Sequence, residues 1–322
     1  MKNKKKNIIL IDAATFPIGF IKKIKTNFKN FKFTIINNLD EKALHNHVVD
    51  AHVLINCPRS FFTEKLFKKF NKMEWVHTSA AGIEQYMIPS LIKSKIIFTN
   101  GKVLQGPEVA DHAVSLLLAL TRNLKIHIQN KKKKVKRPIE LLKKKALIVG
   151  FGGIGKCLHE RLTGFGMNID IISEEIAPIL HNIGNFYEID QLNKIAKEYD
   201  VIISAAPLTK VTNKIFNINF FNKMRKNSIF INVSRGGLVD TKALINKKLM
   251  RKFWGIGLDV LDPEPLPNNH FLRKEENVII TNHTAGLSDN NRSRAYDLII
   301  KNLNRFKDDK MLFNEVNKIE GY

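Results

Sequence analysis

A chain of 322 residues with 44% hydrophobic content is too long for one minimal domain, suits two, and can bury a sizeable core. Its two cysteines, Cys57 and Cys157, build neither a disulfide framework nor a zinc spacing, which points to a reducing, cytoplasmic setting. The formal charge of +23 comes from lysines spread along every segment, far more often than from arginines, so no specific nucleic-acid site is expected and a general attraction for anionic ligands is.

At the N-terminus a basic stretch precedes the apolar residues Ile8 to Ile11, but Asp12 ends that run after four residues, too few for a secretory core. Residues 7–11 are read instead as a buried strand, and no later run is long enough to span a membrane. Residues 33–36, 52–55, 75–77 and 96–99 read as further strands, separated by helical patterns such as 62–70. This alternation predicts a parallel α/β sheet. A long helix follows over 107–122, with Pro107 in its first turn and an apolar stripe through Val114, Leu117, Leu118 and Leu120. The lysine-rich stretch 125–145, which includes Lys131 to Lys134, reads as a solvated connection between two domains. A second strand series then runs through 146–150, 169–172, 201–204, 229–233, 255–259 and 278–281. It ends in a helix over 294–306 carrying Leu298, Ile299, Leu303 and Phe306. His45, Asn46, His47 and His52 lie close in sequence, but no further ligand cluster accompanies them and no metal is expected.

The sharpest local signal is Gly150-Phe-Gly152-Gly-Ile-Gly155, placed between the strand at 146–149 and an amphipathic helix through Leu158, Arg161 and Leu162. Gly150 permits a tight turn, Gly152 lets backbone approach a pyrophosphate, and Gly155 allows helix to pack closely on strand. The helix N-terminus then faces the anion. Strand, glycines and helix in that order predict dinucleotide binding. The strand that follows ends at Ser173, where an Asp or Glu would favour NAD. Glu174 and Glu175 come next with no arginine, so NAD is favoured and NADP stays possible.

Taken together, these residues resemble the D-isomer-specific 2-hydroxy acid dehydrogenases, a family that includes glyoxylate/hydroxypyruvate reductases and D-3-phosphoglycerate dehydrogenases. The likeness runs from His77-Thr-Ser-Ala-Ala-Gly82 through Glu108-Val-Ala-Asp-His112 and the glycine loop to the final helix. Three blocks carry it most specifically. Asn232-Val-Ser-Arg-Gly-Gly-Leu-Val-Asp240 is similar to the family's arginine motif, and Leu258-Asp-Val-Leu-Asp-Pro-Glu-Pro-Leu-Pro267 to its glutamate motif. Ile280-Thr-Asn-His-Thr-Ala-Gly286 is similar to its histidine motif, with Asn282 where proline is usual.

The resemblance implies two Rossmann-like domains with parallel, doubly wound sheets. Residues 1–102 and 287–322 would form a discontinuous, flavodoxin-like substrate domain, with the dinucleotide-binding domain, 103–286, inserted in it. It implies a nicotinamide-dependent oxidoreductase that interconverts a 2-keto acid and a D-2-hydroxy acid, and a homodimer contacting through the long helix. Arg235, Glu264 and His283 would be catalytic, with Arg235 also binding the substrate carboxylate alongside backbone amides at Ala81 and Gly82. Gly150, Gly152, Gly153, Ile154, Gly155, Ser173, Pro207 and Asp259 would hold the cofactor, Asp259 at the nicotinamide carboxamide. These residue types fit the reaction: a hydride arriving at a keto carbon leaves charge on oxygen, so a proton donor must stand beside it. Imidazole titrates near neutral pH, a carboxylate stabilises imidazolium, and a guanidinium binds carboxylate with two prongs. Two other readings share the motifs: a dinucleotide-sensing, corepressor-like binding protein, and a dehydrogenase on the same fold with a substrate other than a 2-hydroxy acid.

Overall fold

The computed structural model describes residues 5–11, 16, 19–37, 40–129, 135–174 and 183–320. Glu175 and the lysine run Lys131 to Lys134 lie outside the described residues. The chain divides into two compact units, one of Met1–Leu104 with Ser288–Tyr322, the other of Gln105–Leu287.

In the first unit the strands are β1 (Lys6–Ile11), β2 (Phe31–Ile36), β3 (Val53–Ile55), β4 (Trp75–His77) and β5 (Ile97–Thr99). They pair in parallel in the order β2-β1-β3-β4-β5. Parallel strands covered on both faces must be apolar throughout. Accordingly Ile8, Ile9 and Leu10 are all fully buried, Ile9 in one layer of the core and Ile8 and Leu10 in the other. The helix Asn291–Lys307 returns to this unit and buries Leu298, Ile299, Leu303 and Phe306. The expected helix at 62–70 is only one turn, Glu64–Phe67. Thr63 starts it by accepting from the Leu66 amide, while Phe62 and Phe70 pack as loop residues, so their spacing reflects the core and not a helical period.

The second unit holds β6 (Lys145–Val149), β7 (Asn168–Ile172), β8 (Phe186–Tyr187), β9 (Val201–Ser204), β10 (Ile229–Asn232), β11 (Gly255–Leu258) and β12 (Val278–Ile280). The sheet order β12-β11-β10-β9-β6-β7-β8 is parallel throughout and reverses direction of growth between β6 and β9. Such a switch point is where open α/β sheets bind ligands, beyond the carboxyl ends of the strands. The helix Gly106–Thr121 lies on one face and buries Ala110, Ala113, Leu116, Leu117 and Leu120. Val114 and Leu118 of the expected stripe pack at the margin of that core.

The stretch after this helix departs from the sequence reading. It falls inside the second unit, not between two domains, and begins as a short helix, Leu124–Ile128. Lys125 is half-buried there, its ammonium donating to the carbonyls of Glu275 and Val278, each at 2.7 Å.

Candidate active site

The register of the second sheet gathers distant residues along one edge. Ile280, Leu258, Asn232, Ser204, Val149 and Ile172 form a single row across six strands. Every cofactor or catalytic candidate in this unit follows one of those row residues within a few positions. Gly150 follows Val149, Ser173 follows Ile172, and Pro207 lies three residues after Ser204. Arg235 comes after Asn232, Asp259 and Glu264 after Leu258, and His283 after Ile280. Parallel strands all point one way, so these residues share the carboxyl edge.

At the glycine loop, Gly150 has φ +99° and donates its N–H to Ile172. A Cβ on Gly150 would come within 2.5 Å of the Ala206 nitrogen, and one on Gly155 within 2.2 Å of the Gly150 carbonyl. Gly152 is different, because a Cβ there would meet no atom within 4 Å. It faces open space at the start of the helix Gly153–Gly164, whose first amides receive no side-chain cap. Exposed amides, the positive end of a helix dipole and room beside the backbone fit a pyrophosphate. Gly153 and Ile154 form the first turn, with Ile154 packed against the core beneath. Ser173 donates its amide to Tyr187, and Glu174 beyond it is exposed. Pro207 is exposed on the far side of the switch point, its carbonyl bonded by the Thr212 hydroxyl at 2.6 Å.

Arg235 is fixed from behind. The buried Asn232 amide donates to the Arg235 carbonyl at 2.9 Å and accepts from the Ser234 amide and hydroxyl, while Ser234 Oγ also meets Ser204 Oγ at 2.8 Å. Gly236 permits the next step: a Cβ on it would overlap the Leu261 carbonyl oxygen, at 1.9 Å. The arginine motif therefore rests directly on the backbone that leads to Glu264.

His283 and Glu264 meet. Nδ1 of His283 lies 2.5 Å from Glu264 Oε1, and both side chains keep about half their surface, 48% and 40%. The other carboxylate oxygen, Oε2, receives the Leu261 amide at 3.5 Å. His283 itself sits at φ +53°, in the left-handed region that few residues other than glycine adopt. Its amide donates to the Asp259 carbonyl at 2.9 Å.

Asp259 is the least exposed ionisable group of this edge, at 1%. Burial pushes its carboxyl upward, but the bonds it accepts outweigh that and hold it well below the usual carboxylate range. They come from His112, from the Thr281 hydroxyl at 2.6 Å, and from the amides of Ala285 and Thr284, both at 3.0 Å. It is therefore a charged group at neutral pH. Nothing in the sequence showed that the proposed nicotinamide partner also clasps the histidine loop, since its donors lie 22 to 26 residues on.

In the first unit, Ala81 and Gly82 lie in the loop after β4. Asn100 Nδ2 donates to the Ala81 carbonyl at 2.9 Å and Arg59 to the Gly82 carbonyl at 3.3 Å. Gly82 is buried and Ala81 half-buried. Upstream, His77 is wholly buried, with Nδ1 2.8 Å from Thr99 Oγ1, and burial pulls its pKa down to about 3.

Comparison with known proteins bears on this arrangement. The family model described as "D-isomer specific 2-hydroxyacid dehydrogenase, NAD binding domain" matches residues 114–285. The glyoxylate reductase of Thermococcus litoralis is 34% identical over 291 residues, 86% of each chain. A solved glyoxylate reductase from Paecilomyes thermophila aligns with TM-score 0.83 at 19% identity, covering 98% of this chain and 99% of that one. D-Lactate dehydrogenase from Aquifex aeolicus, solved with NAD and lactic acid, aligns with TM-score 0.76 at 23% identity, covering 97% and 99%. At such identities the two structures speak to the fold.

Proposed function

Because this chain belongs to the D-isomer-specific 2-hydroxyacid dehydrogenase family, we infer that the carboxyl edge of its second sheet is where a 2-keto acid is reduced. The protein is an NAD(P)-dependent oxidoreductase acting on 2-keto and D-2-hydroxy acids. The observation that carries the assignment of the site is the His283–Glu264 pair, held half-exposed next to a buried, charged Asp259. A lone histidine on a surface needs no such carboxylate, and an active proton donor does.

When bound, the dinucleotide supplies the hydride that reaches the keto carbon. The chain's own residues do the rest. Arg235 holds the substrate carboxylate and polarises the keto oxygen. His283 has Nδ1 engaged by Glu264, so Nε2 gives its proton to the oxygen as charge develops there. Glu264 stabilises the imidazolium before transfer and keeps the ring in one orientation. On the Asp259 carboxylate, Oδ1 accepts from Thr281 and Thr284, with His112 Nε2 3.3 Å away, and Oδ2 accepts from Ala285. Asp259 would be the residue that holds the nicotinamide carboxamide. Reduction consumes one hydride and one proton and yields the hydroxy acid; oxidation reverses both.

Glyoxylate is the substrate we favour, on the strength of the relatives' names, and hydroxypyruvate belongs in the same first panel of short acids. NAD is the cofactor we favour, with Glu174 reaching the ribose hydroxyls from the end of β7. A homodimer in the cytoplasm completes the proposal, and the unpaired Cys57 and Cys157 suit that compartment. The deciding experiment follows NADH and NADPH absorbance with a panel of short keto acids, comparing the natural protein with His283→Asn. Turnover that falls roughly 10²–10⁴-fold while cofactor binding survives supports the assignment. Near-normal turnover in the variant removes His283 from the mechanism.

A further inference from the structure

Within the motif Glu108-Val-Ala-Asp-His112 one side chain reaches the reaction site, and the mechanism above gives it no task. We propose that His112 is a positioning residue, whose Nε2–H acts through Thr281 and Asp259 to hold the turn carrying His283. The proposal rests on the functional reading just given.

The hydrogen positions follow from geometry. His112 Nε2 lies 2.9 Å from Thr281 Oγ1 and 3.3 Å from Asp259 Oδ1. Thr281 Oγ1 in turn lies 2.6 Å from Asp259 Oδ1. A carboxylate has no proton to give, so the hydroxyl hydrogen of Thr281 points at Asp259. Thr281 then has only lone pairs left for His112, and the ring nitrogen must be the donor. The relay therefore runs one way, from His112 Nε2–H to the Thr281 hydroxyl to the Asp259 carboxylate, and it fixes the Nε2–H tautomer.

What the relay holds is the loop of His283. The Asp259 carboxylate takes the amides of Thr284 and Ala285, and its carbonyl takes the amide of His283. His283 occupies a left-handed conformation that an L-residue keeps only where its surroundings impose it. Asn282, just before it, brings no ring to stiffen the backbone. The constraint falls instead on one buried carboxylate, and the orientation of that carboxylate depends on Thr281 and His112. His112 is itself anchored on the sixteen-residue helix Gly106–Thr121, whose core face is buried in the same unit. A rigid element thus sets the angle of a loop more than 160 residues away in sequence.

Two substitutions separate the N–H from the bulk of the ring. His112→Leu removes the donor and His112→Gln retains one. Amide hydrogen exchange of the segment 281–286 in the cofactor-free protein reads the loop directly, with β6 (145–149) as an internal control. We expect His112→Leu to raise exchange in 281–286 on the order of tenfold, leave β6 unchanged, and lower kcat/KM by about the same factor. His112→Gln should restore both. Thr281→Val breaks the same relay, so the double variant His112→Leu/Thr281→Val should be no worse than the poorer single one. Unchanged exchange in His112→Leu, a glutamine variant as impaired as leucine, or additive losses in the double variant each overturn the proposal. If His112→Leu loosens β6 as well, Thr281→Val against His112→Gln decides the matter by the same exchange signal. A natural protein inactive on every keto acid would refute the functional reading, and the exchange data would still decide the role of His112.

Discussion

His77 ends β4 at the head of the His77–Gly82 segment, and its burial makes the stability of the first unit depend on pH. Its Nδ1 shares Thr99 Oγ1 with Trp75 Nε1, each at 2.8 Å, and Nε2 has no hydrogen-bond partner. Burial pulls the pKa from 6.5 to about 3. Between those values the unfolded chain binds a proton that the folded chain refuses, so stability is lost as pH falls and is complete only above the unfolded value. At about 1.4 kcal/mol per pH unit the whole interval amounts to roughly 5 kcal/mol, and the part between pH 7 and 4.5 to roughly 2.5 kcal/mol.

The perturbation is His77→Gln, which stays neutral and removes the titration. Many carboxylates also respond to acid, so the quantity to compare is the change in stability from pH 7 to 4.5 in the two proteins. The chain has two tryptophans, Trp75 in the first unit and Trp254 in the second, so a Trp254→Phe background leaves Trp75 as the reporter of the relevant unit. Urea unfolding followed by Trp75 fluorescence should show the natural protein losing about 2.5 kcal/mol more than the glutamine variant across that interval. Equal losses in both would refute the reasoning, because a neutral buried histidine cannot be silent in this window.

Arg235→Lys keeps the charge but loses the two-pronged geometry, so KM for the keto acid should rise and kcat fall; steady-state kinetics that match the natural enzyme would place Arg235 outside the site. Glu264→Gln removes the carboxylate that engages His283 Nδ1, so kcat for keto-acid reduction should fall while cofactor binding survives, and an unchanged kcat contradicts the pairing. For the cofactor, kcat/KM should favour NADH, because Glu174 would repel a ribose phosphate. A tenfold preference for NADPH, on the order of 1.4 kcal/mol, would reverse that assignment.

The strands were legible almost to the residue because a fully buried parallel strand is close to an unbroken apolar run, as in residues 8–11 and 146–149. The two-residue strand Phe186–Tyr187 was not, since so short a run at the sheet edge has no pattern to show. The helix expected over 62–70 failed for the opposite reason: phenylalanines recur there because they fill the core around Tyr86, not because they line one helical face. Among the site residues, the glycine loop was readable from its flanking strand and helix. The proposed catalytic residues were readable only through family likeness, for Arg235, Glu264 and His283 taken singly have ordinary structural uses. His112 was visible as part of a motif, but its bond to Thr281 joins residues 169 apart, and no local pattern encodes that distance.

The arrangement also explains why three blocks so far apart in the chain behave as one site. Strand register brings Asn232, Leu258 and Ile280 level, but it sets only where each following loop begins. Direction is set by two contacts beyond the strands. Gly236 lies so close to the Leu261 carbonyl that any side chain there would separate the arginine loop from the glutamate loop. Asp259 takes donors from both ends of the histidine loop and so fixes it to the same β11 segment. The stretch from Asp259 to Glu264 is thus the common support: Gly236, next to Arg235, rests on its middle, His283 is clasped at its start, and Glu264 closes onto His283 at its end. A displacement of that stretch would move Arg235 and His283, the proposed carboxylate-binding cation and proton donor, together. Preserving their spacing while the loops adjust is what a reaction needing both at one substrate requires.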